Sequence, residues 1–144
     1  MINFDSVKNI FVIADGNRCS RGIATASAIL EHSKPSPEKK SVCILPTNKY
    51  TVEENYSDHE LMERLRPLVG EIEKSYDRAV KKELNNDANE GVLTERKIDP
   101  KLLFLIDTSN KTAAALAHLF QGPWGGYPFA KHTLAIDLSA ETDK

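Results

Sequence analysis

Four short apolar segments alternate along the chain with longer segments whose apolar residues recur at helical spacing. Short apolar runs are typical of buried strands, and the spaced pattern is typical of amphipathic helices. The predicted strands cover residues 9–15, 41–46, 102–107 and 132–138. The predicted helices begin at Ser20, which we expect to act as a cap, at Ser57 or Asp58, and at Lys111. Strands that alternate with helices favour a parallel sheet covered on both faces.

The expected fold class is therefore α/β, a three-layer αβα arrangement with a central, mostly parallel sheet of four to five strands. A chain of 144 residues fits one such domain, over residues 1–144. Pro67 and Gly70 lie inside the second helical segment and are expected to kink or split it. Residues 85–99 are polar and predict a loop, with an extended piece at 92–94.

Three of the predicted strands end in an aspartate. These residues are Asp15, Asp107 and Asp137, and Asp15 is followed by Gly16 and Asn17. In parallel α/β proteins, ligands bind beyond the carboxyl ends of the strands. We therefore expect Asp15 and Asp107 to meet at one edge of the sheet, as metal ligands or acid–base groups. The alternative for Asp15 is a turn without a chemical role, because Asp, Gly and Asn all favour turns.

Charge and cysteine content narrow the class of protein. The formal net charge is −2, which argues against a surface that is basic throughout. Cys19 and Cys43 lack the spacing of a disulfide framework, which favours reduced thiols and a cytoplasmic setting. No apolar run approaches the roughly 18 residues of a membrane span, so we expect no membrane partner.

Several segments, in the order given below, resemble the NYN branch of the PIN-like nucleases, and most of all the Regnase-type ribonuclease domain. Residues 13–17 (Ile-Ala-Asp-Gly-Asn) are similar to that family's strand-ending Asp-Gly-x-Asn. Residues 20–23, 41–46 and 58–65 are similar to its Arg-Gly-Ile helix, its next strand and the helix after it. Residues 76–78 (Tyr-Asp-Arg) resemble its second acidic position. The resemblance covers about residues 9–110.

This resemblance implies a PIN-like, Mg²⁺- or Mn²⁺-dependent endoribonuclease that acts on single-stranded RNA, with carboxylates as the metal ligands. It makes Asp15 the first catalytic ligand and Asp77 the second, with Glu73 one helical turn before Asp77 as an auxiliary. Two residues compete for the third position. We favour Asp107, which ends the strongest apolar strand, over Glu95, which lies at about the family's distance beyond Asp77.

Basic residues near these carboxylates are the candidate contacts to RNA, namely Arg18, Arg21, Lys49 and Lys81. The two arginines lie beside Asp15 in the sequence. Lys81, with Lys82 and Glu83 beside it, is also consistent with a solvated helix face.

Two departures from the family's pattern support a different function. Tyr76 precedes Asp77 where the family has paired aspartates, and Arg18 occupies the place of the family's Asn. The alternative is a catalytically inactive module that uses the same scaffold to bind a protein partner. A homodimer is a second form of partner, because PIN-like domains often act as dimers.

Two phosphate-binding families offer further alternatives. Residues 11–19 and 107–110 look like parts of a low-molecular-weight tyrosine phosphatase. That chemistry needs Cys-x5-Arg, but the residues six positions after Cys19 and Cys43 are Thr25 and Lys49. Residues 15–18 (Asp-Gly-Asn-Arg) resemble the diphosphate-binding motif of cis-prenyltransferases, although the chain is much shorter than those enzymes.

Overall fold

Four strands form one parallel sheet in the computed structural model, which describes residues 4–86, 99–121 and 127–139. The spatial order is second, first, third, fourth, and every neighbouring pair is parallel. The strands are β1 (Asn9–Ala14), β2 (Ser41–Pro46), β3 (Leu102–Asp107) and β4 (Thr133–Ile136). The expected parallel α/β class and all four predicted strands are confirmed.

Three helices cover the two faces of this sheet and complete the three layers. They are α1 (Ser20–Glu31), α2 (Asp58–Asn86) and α3 (Lys111–Gln121). Short 3-10 helices occupy Phe4–Ser6, Pro37–Lys39 and Pro128–His132. The predicted piece at 92–94 lies outside the described residues.

Side chains of β1 alternate between the two layers, as the pleat of a strand requires. Val12 and its even-numbered neighbours belong to the cluster beneath α1, whereas Ile13 packs with residues of α2 and α3. All six residues of β3 are buried, because this central strand is covered on both faces.

The start of α2 is determined by a reciprocal cap. The hydroxyl of Ser57 accepts a bond from the backbone N–H of Glu60 at 3.2 Å, and the Glu60 carboxylate accepts one from the N–H of Ser57 at 2.8 Å. The helix then runs without interruption through Pro67, so the expectation of a split is wrong. Buried Leu65 and Leu68 pack on the same core from both sides of the proline, which holds the two parts in one helix.

A close contact between α1 and β1 sets the position of the first turn of α1. Gly22 faces Val12, and a Cβ atom on Gly22 would lie only 2.6 Å from Cγ1 of Val12. Only a residue without a side chain permits this approach. The contact places Arg21 and its neighbours beside the end of β1.

We expect Gly22→Ala to destabilise the protein and Gly70→Ala to stabilise it. Overpacking a core costs about 1–3 kcal/mol, and Val12 is fully buried and cannot move away. A Cβ on Gly70 would meet no atom within 4 Å, so that change keeps only the helix-propensity gain of about 1 kcal/mol. Denaturant unfolding measures both free energies. Equal effects of the two substitutions would contradict the close contact.

Candidate functional site

A pocket of about 640 Å³ opens at the carboxyl edge of the sheet. It lies at the ends of β1 and β3, which are neighbours in the sheet. Because β2 lies on the other side of β1, the chain changes its direction across the sheet between β1 and β3. Ligands of open α/β sheets bind at such a position. Its lining residues include Asp15, Arg18, Ser20, Arg21, Asp107, Ser109 and Leu138.

Asp15 lies half-buried in the loop between β1 and α1. Its Oδ1 atom accepts a bond from the backbone N–H of Asn17 at 2.8 Å and another from Nδ2 of Asn48 at 2.9 Å. The Asn17 bond, then the Asn48 bond and the charge of Arg18, lower the pKa of Asp15 despite partial desolvation. Asp15 is therefore a carboxylate at neutral pH.

Asn48 is a site residue that the sequence did not assign. Its Oδ1 atom accepts a bond from the backbone N–H of Gly16 at 2.8 Å, while its Nδ2 atom binds Asp15. The side chain therefore links the loop after β2 to the loop after β1. The only signal in the sequence is its position two residues after an apolar strand, which does not reveal its partner.

Asp107 is buried, with 6% of its surface exposed. Its Oδ1 atom accepts bonds from the N–H of Ser109 at 3.0 Å, the hydroxyl of Ser109 at 2.6 Å and the N–H of Leu138 at 3.2 Å. Its Oδ2 atom has no hydrogen bond to any described residue. No fully buried side-chain oxygen in the described ranges lacks a partner, so Oδ2 keeps some exposure to solvent, and Asp107 is one of the residues that line the pocket.

The first turn of α1 and the loop before it bring the two arginines to the pocket. Arg18 is exposed and Arg21 is half-buried. The expected cap is wrong by one position. Ser20 is the first helical residue, and the capping position belongs to Cys19, which makes no side-chain capping bond.

Asp77 and Glu73 lie on α2 and are absent from the lining of the pocket. Six residues after Asp77, about 9 Å along the helix, Glu83 binds Lys8 and Lys101, which precede β1 and β3. This end of α2 therefore lies at the amino ends of the strands. Asp77 is exposed near this end, and Glu73 is exposed one turn earlier on the helix; neither lines the pocket that contains Asp15.

The predicted grouping of three carboxylates is not assembled in the described part of the chain. Within residues 4–86, 99–121 and 127–139, no three His, Cys, Asp or Glu side chains lie close enough to hold a metal ion together. The reason is the direction of α2, which carries Asp77 towards the opposite edge from Asp15 and Asp107. Glu95, the competing third ligand, lies outside the described residues.

The remaining predicted basic residues do not line the pocket. Lys81 is exposed on the last third of α2, near the amino ends of the strands. Lys49 is exposed in the loop after β2, and its carbonyl accepts a bond from Arg64 at 3.3 Å. Asp137, which follows β4, is exposed and accepts a bond from the N–H of Ser139 at 2.9 Å.

Comparison of the chain with known protein families, with curated proteins and with solved structures finds no match in any of the three. The described helices include no apolar stretch of the length that a bilayer crossing requires.

We expect Asn48→Ala to raise the pKa of Asp15, because the carboxylate loses one of its two hydrogen-bond donors. The rise is partial, since the larger contribution, the N–H of Asn17, remains. Asn17→Ala is the matched control, because it keeps that backbone N–H and should leave the pKa unchanged. NMR titration of the Asp15 carboxyl carbon measures both values.

Asn48→Ala should also change how the free energy of unfolding depends on pH. A carboxylate whose pKa is lowered by folding contributes stability above its unfolded pKa and loses it as pH falls through the folded pKa. The stability difference between the wild type and Asn48→Ala should therefore be largest near neutral pH and shrink in acid. A difference that grows in acid would contradict the assigned bond.

Proposed function

We propose that this protein binds and cleaves single-stranded RNA with the help of Mg²⁺ or Mn²⁺, as a PIN-like domain. One observation carries the proposal. Two carboxylates, Asp15 and Asp107, and two arginines, Arg18 and Arg21, line a single pocket at the ligand-binding edge of a parallel sheet. Carboxylates suit a divalent cation, and arginines suit the phosphates of a nucleic acid.

The two aspartates fit the requirements of Mg²⁺. This ion is usually held by one or two carboxylates and substrate phosphates, and it keeps several waters. Asp15 and Asp107 each use Oδ1 for bonds within the protein, and Oδ2 of each makes no hydrogen bond to another described residue. When bound, the ion would activate a water and stabilise charge on the phosphate.

The arginines supply the second element of a phosphodiester site. A guanidinium group forms paired, charge-assisted hydrogen bonds to phosphate oxygens. Arg18 extends from the loop next to Asp15, and Arg21 lies one turn later at the start of α1. A phosphate held by these groups would lie beside the two aspartates.

A catalytically inactive module that binds a protein partner is the second candidate. The observation that favours it is the position of Asp77, which leaves the pocket with two carboxylates from the described residues rather than three. In this case the pocket would retain ligand binding without hydrolysis.

A cytoplasmic location belongs to the same proposal. Cys19 and Cys43 are both free thiols, and Cys43 is exposed. Exposed free thiols persist in a reducing compartment.

We expect labelled single-stranded RNA to be cleaved in the presence of Mg²⁺ or Mn²⁺ and not in the presence of a chelator. Asp15→Asn should reduce the rate about 100-fold or more, because a metal ion contributes several kcal/mol to the transition state. Asp77→Asn is the matched control and should cleave normally, since Asp77 is exposed outside the pocket.

Circular dichroism should show that both variants are folded. Cleavage lost in Asp77→Asn but kept in Asp15→Asn would refute the site assignment. Metal-dependent RNA binding without cleavage by the wild type would indicate an RNA-binding domain without nuclease activity, whereas neither binding nor cleavage of RNA would favour the module that binds a protein partner.

A further inference from the structure

Asn110 lines the pocket, three residues after Asp107, and the proposed function so far gives it no role. The two residues belong to one turn after β3, because the backbone N–H of Asn110 donates to the carbonyl oxygen of Asp107 at 3.1 Å. Both therefore line the pocket from the same short turn. A phosphate bound through a cation at Asp107 would lie next to this turn.

The side chain of Asn110 is held by two hydrogen bonds to its oxygen. Oδ1 accepts a bond from the backbone N–H of Ala113 at 2.9 Å, which caps the start of α3, and one from the hydroxyl of Thr47 at 3.1 Å. A backbone N–H can only donate, so the atom that faces Ala113 is the amide oxygen and not the nitrogen. Thr47 is itself buried. The fold thus defines the orientation of the amide.

These two bonds decide which kind of ligand Asn110 can bind. A carbonyl oxygen has two lone pairs, and at Oδ1 both are occupied, which leaves no position for a metal ion. Nδ2 makes no hydrogen bond to any described residue. It keeps some exposure to solvent, because no fully buried side-chain nitrogen in residues 4–86, 99–121 and 127–139 lacks a partner. Asn110 therefore offers a ligand only N–H donors, which require an acceptor.

A phosphodiester supplies a suitable acceptor. Its non-bridging oxygens carry the negative charge, and a hydrogen bond to an ionised acceptor is roughly twice as strong as one between neutral groups. Because the amide of Asn110 is oriented before a ligand arrives, binding requires little further ordering of the side chain. Asn17 differs, since it also lines the pocket but is exposed, and its side chain makes no hydrogen bond to a described residue.

We propose that Asn110 binds the RNA backbone, with Nδ2 as the donor to a non-bridging oxygen of the phosphodiester in the pocket. This inference rests on the proposed function and adds a phosphate-binding residue to the same site. Asp15 and Asp107 hold the cation, whereas Asn110 holds the phosphate directly.

Asn110→Asp tests the donor with the smallest change of shape. The carboxylate retains an oxygen for Ala113 and Thr47, and Asp caps a helix as well as Asn does, so circular dichroism should show a folded protein. The change replaces Nδ2 with an oxygen that cannot donate. We expect single-stranded RNA to bind at least about tenfold more weakly, which is the effect of one hydrogen bond to a charged group.

Fluorescence anisotropy measures this affinity with the whole chain and labelled RNA. Ca²⁺, which also takes oxygen ligands, replaces Mg²⁺, and a gel confirms that the RNA stays intact. Asn17→Asp is the matched control, because it adds the same charge to another residue of the pocket lining, and it should weaken binding less than Asn110→Asp does. Asn110→Ser keeps a side chain that can cap the helix and adds no charge, and it should weaken binding as well.

Equal effects of Asn110→Asp and Asn17→Asp, or wild-type affinity in Asn110→Ser, would overturn the inference and leave RNA binding intact. Tighter binding by Asn110→Asp would also overturn it, because residue 110 would then act on the cation and not on the phosphate. Failure of the wild type to bind RNA would overturn the proposed function itself, so the two failures are distinguishable.

Discussion

The carboxyl edge of the sheet depends on one buried carboxylate oxygen, Oδ1 of Asp107. Three donors converge on it, two from Ser109 and one from the backbone of Leu138. The bonds from Ser109 shape the turn that leads into α3, and the bond from Leu138 joins the end of β4 to β3. A buried carboxylate is tolerated only when its hydrogen bonds are satisfied, so these contacts are costly to break. The segment after β4, whose Leu138 lines the pocket, is therefore held in position by its hydrogen bond to the buried carboxylate of Asp107.

Side-chain bonds join the ends of all four strands in a similar way. Asn48 connects the loop after β2 to Asp15 and Gly16 after β1. The hydroxyl of Thr47 donates to Oδ1 of Asn110 at 3.1 Å, which connects the loop after β2 to the loop after β3. With Asp107 and Leu138, these contacts form a chain of bonds across the whole edge. The oxygens that face the pocket are thus oriented before any ligand arrives, which reduces the ordering cost of binding.

Sequence patterns predicted the parts of this structure that depend on local periodicity. The strand bounds follow from apolar runs, and the meeting of Asp15 and Asp107 in one pocket follows from parallel strands that share an edge. The site membership of Asp77 does not follow from such patterns. A helix of 29 residues spans the sheet from one edge to the other, and the ion pairs of Glu83 decide which part of it lies at which edge. Asn48 was missed for a related reason, because its partner is 33 residues away.

Carboxylates at the two edges of the sheet differ in how many of their oxygens are bound within the protein. Glu83 also lies among cations, but it is buried, and each of its oxygens is occupied: Oε2 lies 2.9 Å from Lys8 and Oε1 lies 3.3 Å from Lys101. Such a group has no oxygen left for a ligand, and removing one partner would leave a buried charge. Asp15 and Asp107 differ because their bonds to described residues all involve Oδ1. A carboxylate that is anchored by one oxygen and open at the other has both a defined orientation and a free coordination position. That asymmetry, more than the presence of acidic residues, separates the pocket at the carboxyl edge from the ionic cluster at the amino edge.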